Sequence, residues 1–547
     1  MTYSVPSLGR TVTFGHDLSG KRSSLKVGAN PAQTYTWDRN GRLESITAPS
    51  GATATFTRDD GGRVTAKSLP NNVSLSQTWD AFGRLLRMHY THPATGTLED
   101  FRYTYDENSN RISETALSGQ SFYAYDGRNQ LVRADYPGGS HEEFGYDLAG
   151  NRFLYAHEEG GFKTVRESQY SPSDRLVHDS ARKQHDPPQF EPCPSPNENE
   201  LCSVGVEQLP GHDYLYDGNG NQTEIREIDP LSGAVTGTTT YSWNAKNQLT
   251  QVTYPDSGFS LYAYFPDSPL RRLHVKKDGE ATAFLWDAVT QNPLEDIDVG
   301  TGATQATHQH EMAMDSLLAS SKAVGTRAYV VDPLNSVRAV IDGVGTTVNS
   351  YDYFAYGDTR IEQEVEGNRL RFTGRELEQD SGLLFLRYRW YGPKLARFFQ
   401  PGPLGVGLTG LVPGYVSYTY PGNNPTTLSD PDGRFAFAAA WLARIALLTV
   451  ACQTVVLAYS YSDAWAARGT RDLWSHCVLG CRISKACGGE TSAALAAYGW
   501  EFLSNMGDFW TEWDQTDVNV TVCGSRIPRD KDCASECTRR GRGIRRW

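Results

Sequence analysis

A phrase of nine or ten residues returns along the first third of this chain. Tyr35–Leu43 reads YTWDRNGRL, Gln77–Leu85 QTWDAFGRL, Tyr103–Ile112 YTYDENSNRI, Tyr123–Leu131 YAYDGRNQL and Phe144–Arg152 FGYDLAGNR. The repeated Asp falls at Asp38, Asp59, Asp80, Asp106, Asp126 and Asp147, in steps of 21, 21, 26, 20 and 21 residues. Self-similarity at a fixed period specifies a repeat architecture, and this period suits one β-hairpin per unit. Within each unit the aromatic–x–aromatic pair alternates as a half-buried strand requires, and D-x-x-G/N supplies turn residues that accept positive φ. One hairpin cannot bury its own apolar face, so successive hairpins stack into one continuous sheet. The aromatic stripe is then a packing device rather than a ligand platform. The repeated Asp reads as a turn residue, not a catalytic acid.

The phrase resembles the YD repeat of RHS (rearrangement hot spot) proteins, a group that includes teneurin-like and insecticidal-complex shells. Later segments carry the resemblance further: Tyr329–Ile341 (YVVDPLNSVRAVI), Tyr351–Gly357 (YDYFAYG) and Arg371–Phe399 (RFTGRELEQDSGLLFLRYRWYGPKLARFF) are similar to the core that closes the repeat shell. Pro421–Gly433 (PGNNPTTLSDPDG) resembles the end of that core, after which family members carry an unrelated, variable domain. The resemblance implies a mainly β protein in three parts. A YD-repeat hairpin spiral or cocoon shell spans 1–328, a repeat-associated core 329–433, and a small α-helical, Cys-rich domain 434–547.

Charge divides at the same boundary. The 547 residues carry a net −12, with −15 on residues 1–433 and +3 on the rest. An acidic shell is a poor partner for nucleic acid, whose binding relies on phosphate neutralisation. The first fifteen residues have neither a basic n-region nor an apolar h-region, so export is expected by a non-classical route. The chain begins inside the repeat array without a capping repeat, so an N-terminal part is expected to be missing or the copy to be an orphan.

Two stretches break the pattern. Residues 181–210 are polar and Pro-rich and read as an exposed insertion loop holding Cys193 and Cys202, a pair suited to a local disulfide. Arg434–Ser460 is almost wholly apolar, and its segment Phe435–Tyr459 exceeds the roughly 20 residues that cross a bilayer. Arg444 within it argues equally for a helix buried in the shell. From Asp472 the pattern is helical, with Cys477/Cys481 and Cys533/Cys537 each at i,i+4 and Cys487 and Cys523 between them. That density of Cys points to disulfides and an oxidising destination; zinc is the alternative, since His476 adjoins Cys477, but the spacing does not match common sites. No metal or cofactor is assigned.

Three groups of residues could carry chemistry. The resemblance implies a self-cleaving aspartyl protease built from two Asp-Pro-x-Gly elements, whose paired carboxylates share a proton. The second element is present, with Asp430 and Asp432 as candidates; in the first, Gln400-Pro401-Gly402-Pro403, Gly402 stands where the family has Asp, so the dyad partner is lost. In the tail, His476 with Glu501 or Asp517 forms a candidate acid–base set, with structural His and solvated acids as the bland reading. The terminal run from Arg539 could touch anionic lipid or nucleic acid. By resemblance, the chain is expected to be a secreted or cell-surface carrier for an interbacterial toxin, with a cognate immunity protein and secretion machinery as partners. The effector would act at the envelope by membrane insertion or hydrolysis; the rival is a non-enzymatic, carbohydrate-binding surface scaffold.

Overall fold

The computed structural model describes residues 2–5, 8–186, 189–192, 201–266, 268–402 and 418–434. The apolar segment Phe435–Tyr459, the helical Cys-rich region and the tail residues His476, Glu501, Asp517, Cys477, Cys481, Cys487, Cys523, Cys533 and Cys537 lie outside the described residues, as does Cys193.

Among the described residues, 31 strands form one antiparallel sheet from Thr2–Val5 to Thr359–Glu364, each strand pairing with its neighbours in sequence. The meander is mainly β, as the period requires. Two boundaries differ from expectation. Strands Leu176–His185 and Glu207–Tyr216 pair directly inside the main sheet, and a short ladder of Gln189–Pro192 with Leu201–Val204 grows from their ends, placing Cys202 opposite Glu191. The insertion is thus shorter than 181–210, because its first and last residues extend the paired strands. The repeat sheet also runs on through Tyr329–Ile341 and Tyr351–Tyr353; only from about residue 369 does the chain leave it.

The recurring phrase is explained by three sets of bonds. The Asp carboxylate caps its own turn: Asp38 Oδ1 accepts from the backbone N–H of Asn40 (2.9 Å) and Arg42 (2.8 Å), and Asp126 and Asp332 do the same in their turns. These bonds, led by that from Arg42, hold the Asp38 carboxyl below its ordinary range. The fourth turn position takes positive φ, at Gly41 (75°), Ser109 (65°) and Asn129 (61°), hence the Gly or Asn there.

The first aromatic faces the core: Tyr35, Tyr103, Phe144, Tyr241 and Phe284 are all buried. The second performs a different task. Strand register shifts by one residue at that aromatic, for example where Trp79 pairs with Leu85. The next hairpin's aromatic then donates to the carbonyl at the shift: Tyr105 Oη to Leu85 O (2.6 Å), Trp79 Nε1 to Val64 O (2.8 Å), Tyr146 to Leu131 O (2.7 Å), Trp243 to Gln222 O (2.7 Å). Each hairpin is thereby stapled to the one before it, at about 1 kcal/mol per bond. Where the phrase lacks the second aromatic, Arg58 reaches Leu43 O instead.

Residues 369–434 form a closing segment built on a four-stranded sheet, Glu376–Glu378, Leu383–Leu386, Arg389–Gly392 and Arg397–Phe398. Its apolar side chains pack on one face of the repeat sheet: Phe385, Trp390 and Phe399 pack with Tyr241, Tyr262 and Trp286, and Tyr391 and Phe398 with Val340 and Tyr353. Its polar side chains meet the turns. Asn424 Nδ2 donates to Asn110 Oδ1 (2.9 Å), Asn423 Nδ2 to Gly150 O (2.7 Å), Tyr418 Oη to Gly220 O (2.8 Å) and Arg387 Nη2 to Gln291 O (2.7 Å). The first hairpins are held differently. Val12, Ile46 and Leu75 share one buried cluster with Leu285, Leu318 and Val330, so over this stretch the sheet packs on itself.

Candidate functional site at the junction turn

The candidate carboxylates Asp430 and Asp432 lie in the turn through which the chain leaves the closing segment. That turn sits on Leu386–Arg389, the bend between two of the segment's strands. Gly433 has φ of 73°, and a Cβ there would lie 2.3 Å from Leu386 O, so only glycine fits. Tyr388 N donates to Asp432 O (3.1 Å) and Arg387 Nη1 to Pro431 O (2.7 Å). Arg389 donates through Nε to Gly433 O and through Nη2 to Asp430 Oδ2 (2.8 Å), while Gly433 N donates to Asp430 Oδ1 (3.0 Å). Arg389 and Asp430 side chains are each 1% exposed, so the pair is fully desolvated.

Asp432 differs from Asp430. Its Oδ1 accepts from Arg434 N (3.0 Å), and burial raises its carboxyl above the ordinary range. Arg434 stacks on the Tyr388 ring at 3.8 Å and donates to its hydroxyl. The peptide between Gly433 and Arg434 is consequently gripped at both ends, its carbonyl by Arg389 and its amide by Asp432.

The related first element arrives at the same strand from the other side. Gln400 Nε2 donates to Tyr388 O (3.2 Å) and Gln400 Oε1 accepts from Trp390 N (3.1 Å). The two elements converge on Tyr388–Trp390, but the first brings a neutral amide and the buried Gly402, which has no side chain to offer. Asp430, for its part, is bound through both oxygens. The arrangement can hold a peptide and polarise its carbonyl; Gly402 supplies no second carboxylate to share a proton with Asp430.

Sequence reasoning missed the cations that make the site. Beneath the turn, Arg375 and Arg387 flank the buried Asp315, with Arg387 Nη2 to Asp315 Oδ1 at 3.0 Å. Burial pushes the Asp315 carboxyl up to about 7 against the pull of Arg375. Arg387 and Arg389 stand in the quoted LRYRWYG stretch, where two cations between apolar and aromatic residues at a bend were the available signal. Their partners, 72 and 41 residues away, gave none.

Comparison with known proteins agrees with this architecture. The family model for the teneurin YD-shell matches residues 7–189 and that for the RHS repeat residues 216–258. The tRNA nuclease WapA of Bacillus subtilis (strain 168) is 27% identical over 316 residues, which cover 56% of this chain and 12% of that protein. Double-stranded DNA deaminase toxin A of Burkholderia cenocepacia is 23% identical over 391 residues, 66% of this chain and 24% of that one. This chain thus spans a minor part of either relative's length. Among solved structures, the crystal structure of TcdB2-TccC3-Cdc42 superposes with a TM-score of 0.53 at 18% identity, covering 79% of this chain and 22% of that one, a likeness of fold.

Proposed function

We propose that this chain, an RHS/YD-repeat shell protein through its described repeats, is a toxin carrier whose closing segment holds a C-terminal effector, residues 434–547, at the junction turn until delivery. The observation that supports this reading most directly is the grip on residues 430–434, where the backbone is bound at four successive residues just before the composition changes. The relatives sharing these repeats are named as a tRNA nuclease and a DNA deaminase toxin, which fits a constant carrier with a variable cargo. In this reading Asp430 and Asp432 retain the junction rather than cut it. The purified full chain is expected to run as a single 60.6 kDa species.

The effector is proposed to act at the envelope of a competitor, after release by a secreted or surface-bound carrier, with an immunity protein protecting the producer. Its means are membrane insertion through Phe435–Tyr459 or hydrolysis by His476 with Glu501 or Asp517, in a domain stabilised by disulfides. Residues 434–547 produced alone should arrest bacterial growth when sent to the periplasm and not when kept in the cytoplasm. Arrest in neither compartment would sink the toxin reading. The rival reading, a carbohydrate-binding scaffold, draws less support because the repeated aromatics are engaged in packing and in carbonyl bonds. Glycan binding by residues 1–433 would revive it.

A further inference from the structure

The fifth residue of each Asp-initiated turn sorts the repeats into two classes. In the early turns it is basic, Lys21 in the first and then Arg: Arg42, Arg63 and Arg84 each bind the carboxylate of their own Asp at 2.6–2.7 Å, and their side chains are 26–41% exposed. Two of them reach on to the following turn, Arg63 Nη1 to Asp80 O and Arg84 Nη1 to Asp106 O, both at 3.1 Å. In later turns it is an amide at Asn110, Gln130, Asn151 and Asn221, and Ser336 in the Asp332 turn, where Ser336 Oγ accepts from Thr373 N (3.1 Å). Asn110 and Asn151 are 4% and 2% exposed, and each donates through Nδ2 to its own Asp and to the next turn. That leaves the amide carbonyl turned to the closing segment, where Asn110 Oδ1 accepts from Asn424 and Asn151 Oδ1 from Arg397 (3.4 Å).

The two classes meet where the period is broken. The 26-residue step lies between Asp80 and Asp106, and the hairpin it contains is the longest so far, with strands Leu85–His92 and Gly96–Tyr105 of 8 and 10 residues against 5 and 6 in Leu43–Thr47 and Thr53–Arg58. Among the described residues, the hydrogen bonds from the closing segment to turns begin at the turn after this hairpin. The Asp is part of the rule. Arg175 also stands fifth, but its turn opens on Ser171, which caps through Oγ and offers no carboxylate.

We infer that the fifth turn position is the recognition element for the closing segment: turns with a short amide there form its docking surface, and hairpins with Arg there lie outside it. The physical basis is volume and valence. A buried amide has a donor for the neighbouring turn and, at Asn110 and Asn151, an acceptor left for the closing segment, whereas an Arg is satisfied by its own Asp and would fill the space that segment occupies. The docking reaches the junction, because Thr426 and Thr427 bond to Tyr125 Oη (2.7 Å) and Arg111 N (3.1 Å) three residues before Asp430. Occupancy of the amide-type turns therefore sets how tightly the junction turn is held, independently of what the tail does.

The test is hydrogen exchange of the full chain, followed by mass spectrometry over residues 418–434 and over strands Gly325–Val331 and Val337–Ile341. Asn424→Ala leaves Asn110 Oδ1 buried without a donor and is expected to speed exchange of 418–434 about tenfold, as is Asn110→Arg. Asn110→Ala combined with Asn424→Ala should be no faster than the faster single variant, because both remove one contact. Arg63→Asn should change it by less than about twofold, since that pair is exposed. Strands 325–341, which pack on the early hairpins, should stay protected in every variant, and this separates undocking from unfolding. Additive effects of Asn110→Ala and Asn424→Ala, or equal acceleration by Arg63→Asn, would overturn the inference. Should Asn110→Arg fail to fold, the Asn110/Asn424 cycle decides alone.

Discussion

The repeat sheet and the closing segment are held together by opposite strategies. In the sheet, the same kinds of bond recur from hairpin to hairpin: a side chain, most often Asp, that caps its turn and another, most often aromatic, that staples to the preceding carbonyl. Each is local and neutral or solvated, the staples at about 1 kcal/mol, so the loss of one leaves the next intact. In the closing segment each interaction occurs once, between buried charges: Arg389 with Asp430, Arg387 and Arg375 with Asp315, Arg369 with Asp296, Arg271 with Glu376. Breaking such a pair strands its partner in a medium that cannot solvate it. Redundancy in one region and singularity in the other is the difference that mutation should expose.

The largest effect is expected at Arg389. Arg389→Ala removes the group that neutralises the buried Asp430 and holds Gly433 O, and should cost about 3–5 kcal/mol. Thermal unfolding would measure the loss, and protease cleavage near 430–434 would show where it falls. Pairing it with Asp430→Asn should restore part of the stability, because no uncompensated charge then remains. Failure of that rescue would mean the contact is mainly steric.

Acid should act where the repeat sheet meets the closing segment. His274, beside Glu378, is held by burial and by Arg271 down to about 2, and His310, buried near His308 and Arg369, is likewise held well below its ordinary value. Below about pH 6.5 the unfolded chain binds protons at these positions that the folded chain does not, so stability falls as pH falls, by up to about 1.4 kcal/mol per pH unit for each His. Asp315 acts in the opposite sense. Its raised carboxyl keeps a proton in the folded state up to about pH 7, so its contribution weakens as pH rises from its ordinary value toward 7. Asp432, likewise raised by burial, acts with Asp315, so substitution isolates the histidine part. In unfolding midpoints between pH 7 and 5, His274→Phe should lose less stability toward acid than the unaltered chain.

How much of this was legible in the sequence follows the same division. The repeat announces itself because its partners are close: Asp38 to Arg42, Tyr105 to Leu85. Period, turn and the packing role of the first aromatic could be read from one hairpin's length of sequence, whereas the second aromatic's bond to the preceding carbonyl could not. Even the break at 26 residues and the change from Arg to Asn at the fifth turn position were on the page. The closing segment was readable only as a resemblance, since Arg111 meets Thr427 across 316 residues and Asp315 gives no local sign of the arginines around it. The insertion at 181–210 misled for a physical reason: polar composition does not prevent pairing when the strands extend an existing ladder.

Gly433→Ala should fall between these extremes. The substitution brings both a strained φ and a clash with Leu386 O, together about 1–3 kcal/mol, and it acts on the junction alone. Circular dichroism should show an unchanged sheet while exchange over 430–434 accelerates.

The smallest effect tests the repeat logic in the constructive direction. Tyr105→Phe removes one hydroxyl bond to Leu85 O and should cost about 1 kcal/mol, the value assigned to every staple. The converse is Arg58→Tyr, in the repeat where a guanidinium already reaches Leu43 O and lies 5.7 Å over the Phe56 ring. A phenol there would supply the same donor with fewer rotors to order and more apolar surface against the neighbouring strand, so a gain below about 1 kcal/mol is expected. A shift of the urea midpoint upward, with unchanged slope, would show that Arg58 is a substitute for the aromatic. A downward shift would mean that this repeat has adapted to its Arg, and that the staples are less interchangeable than their common geometry implies.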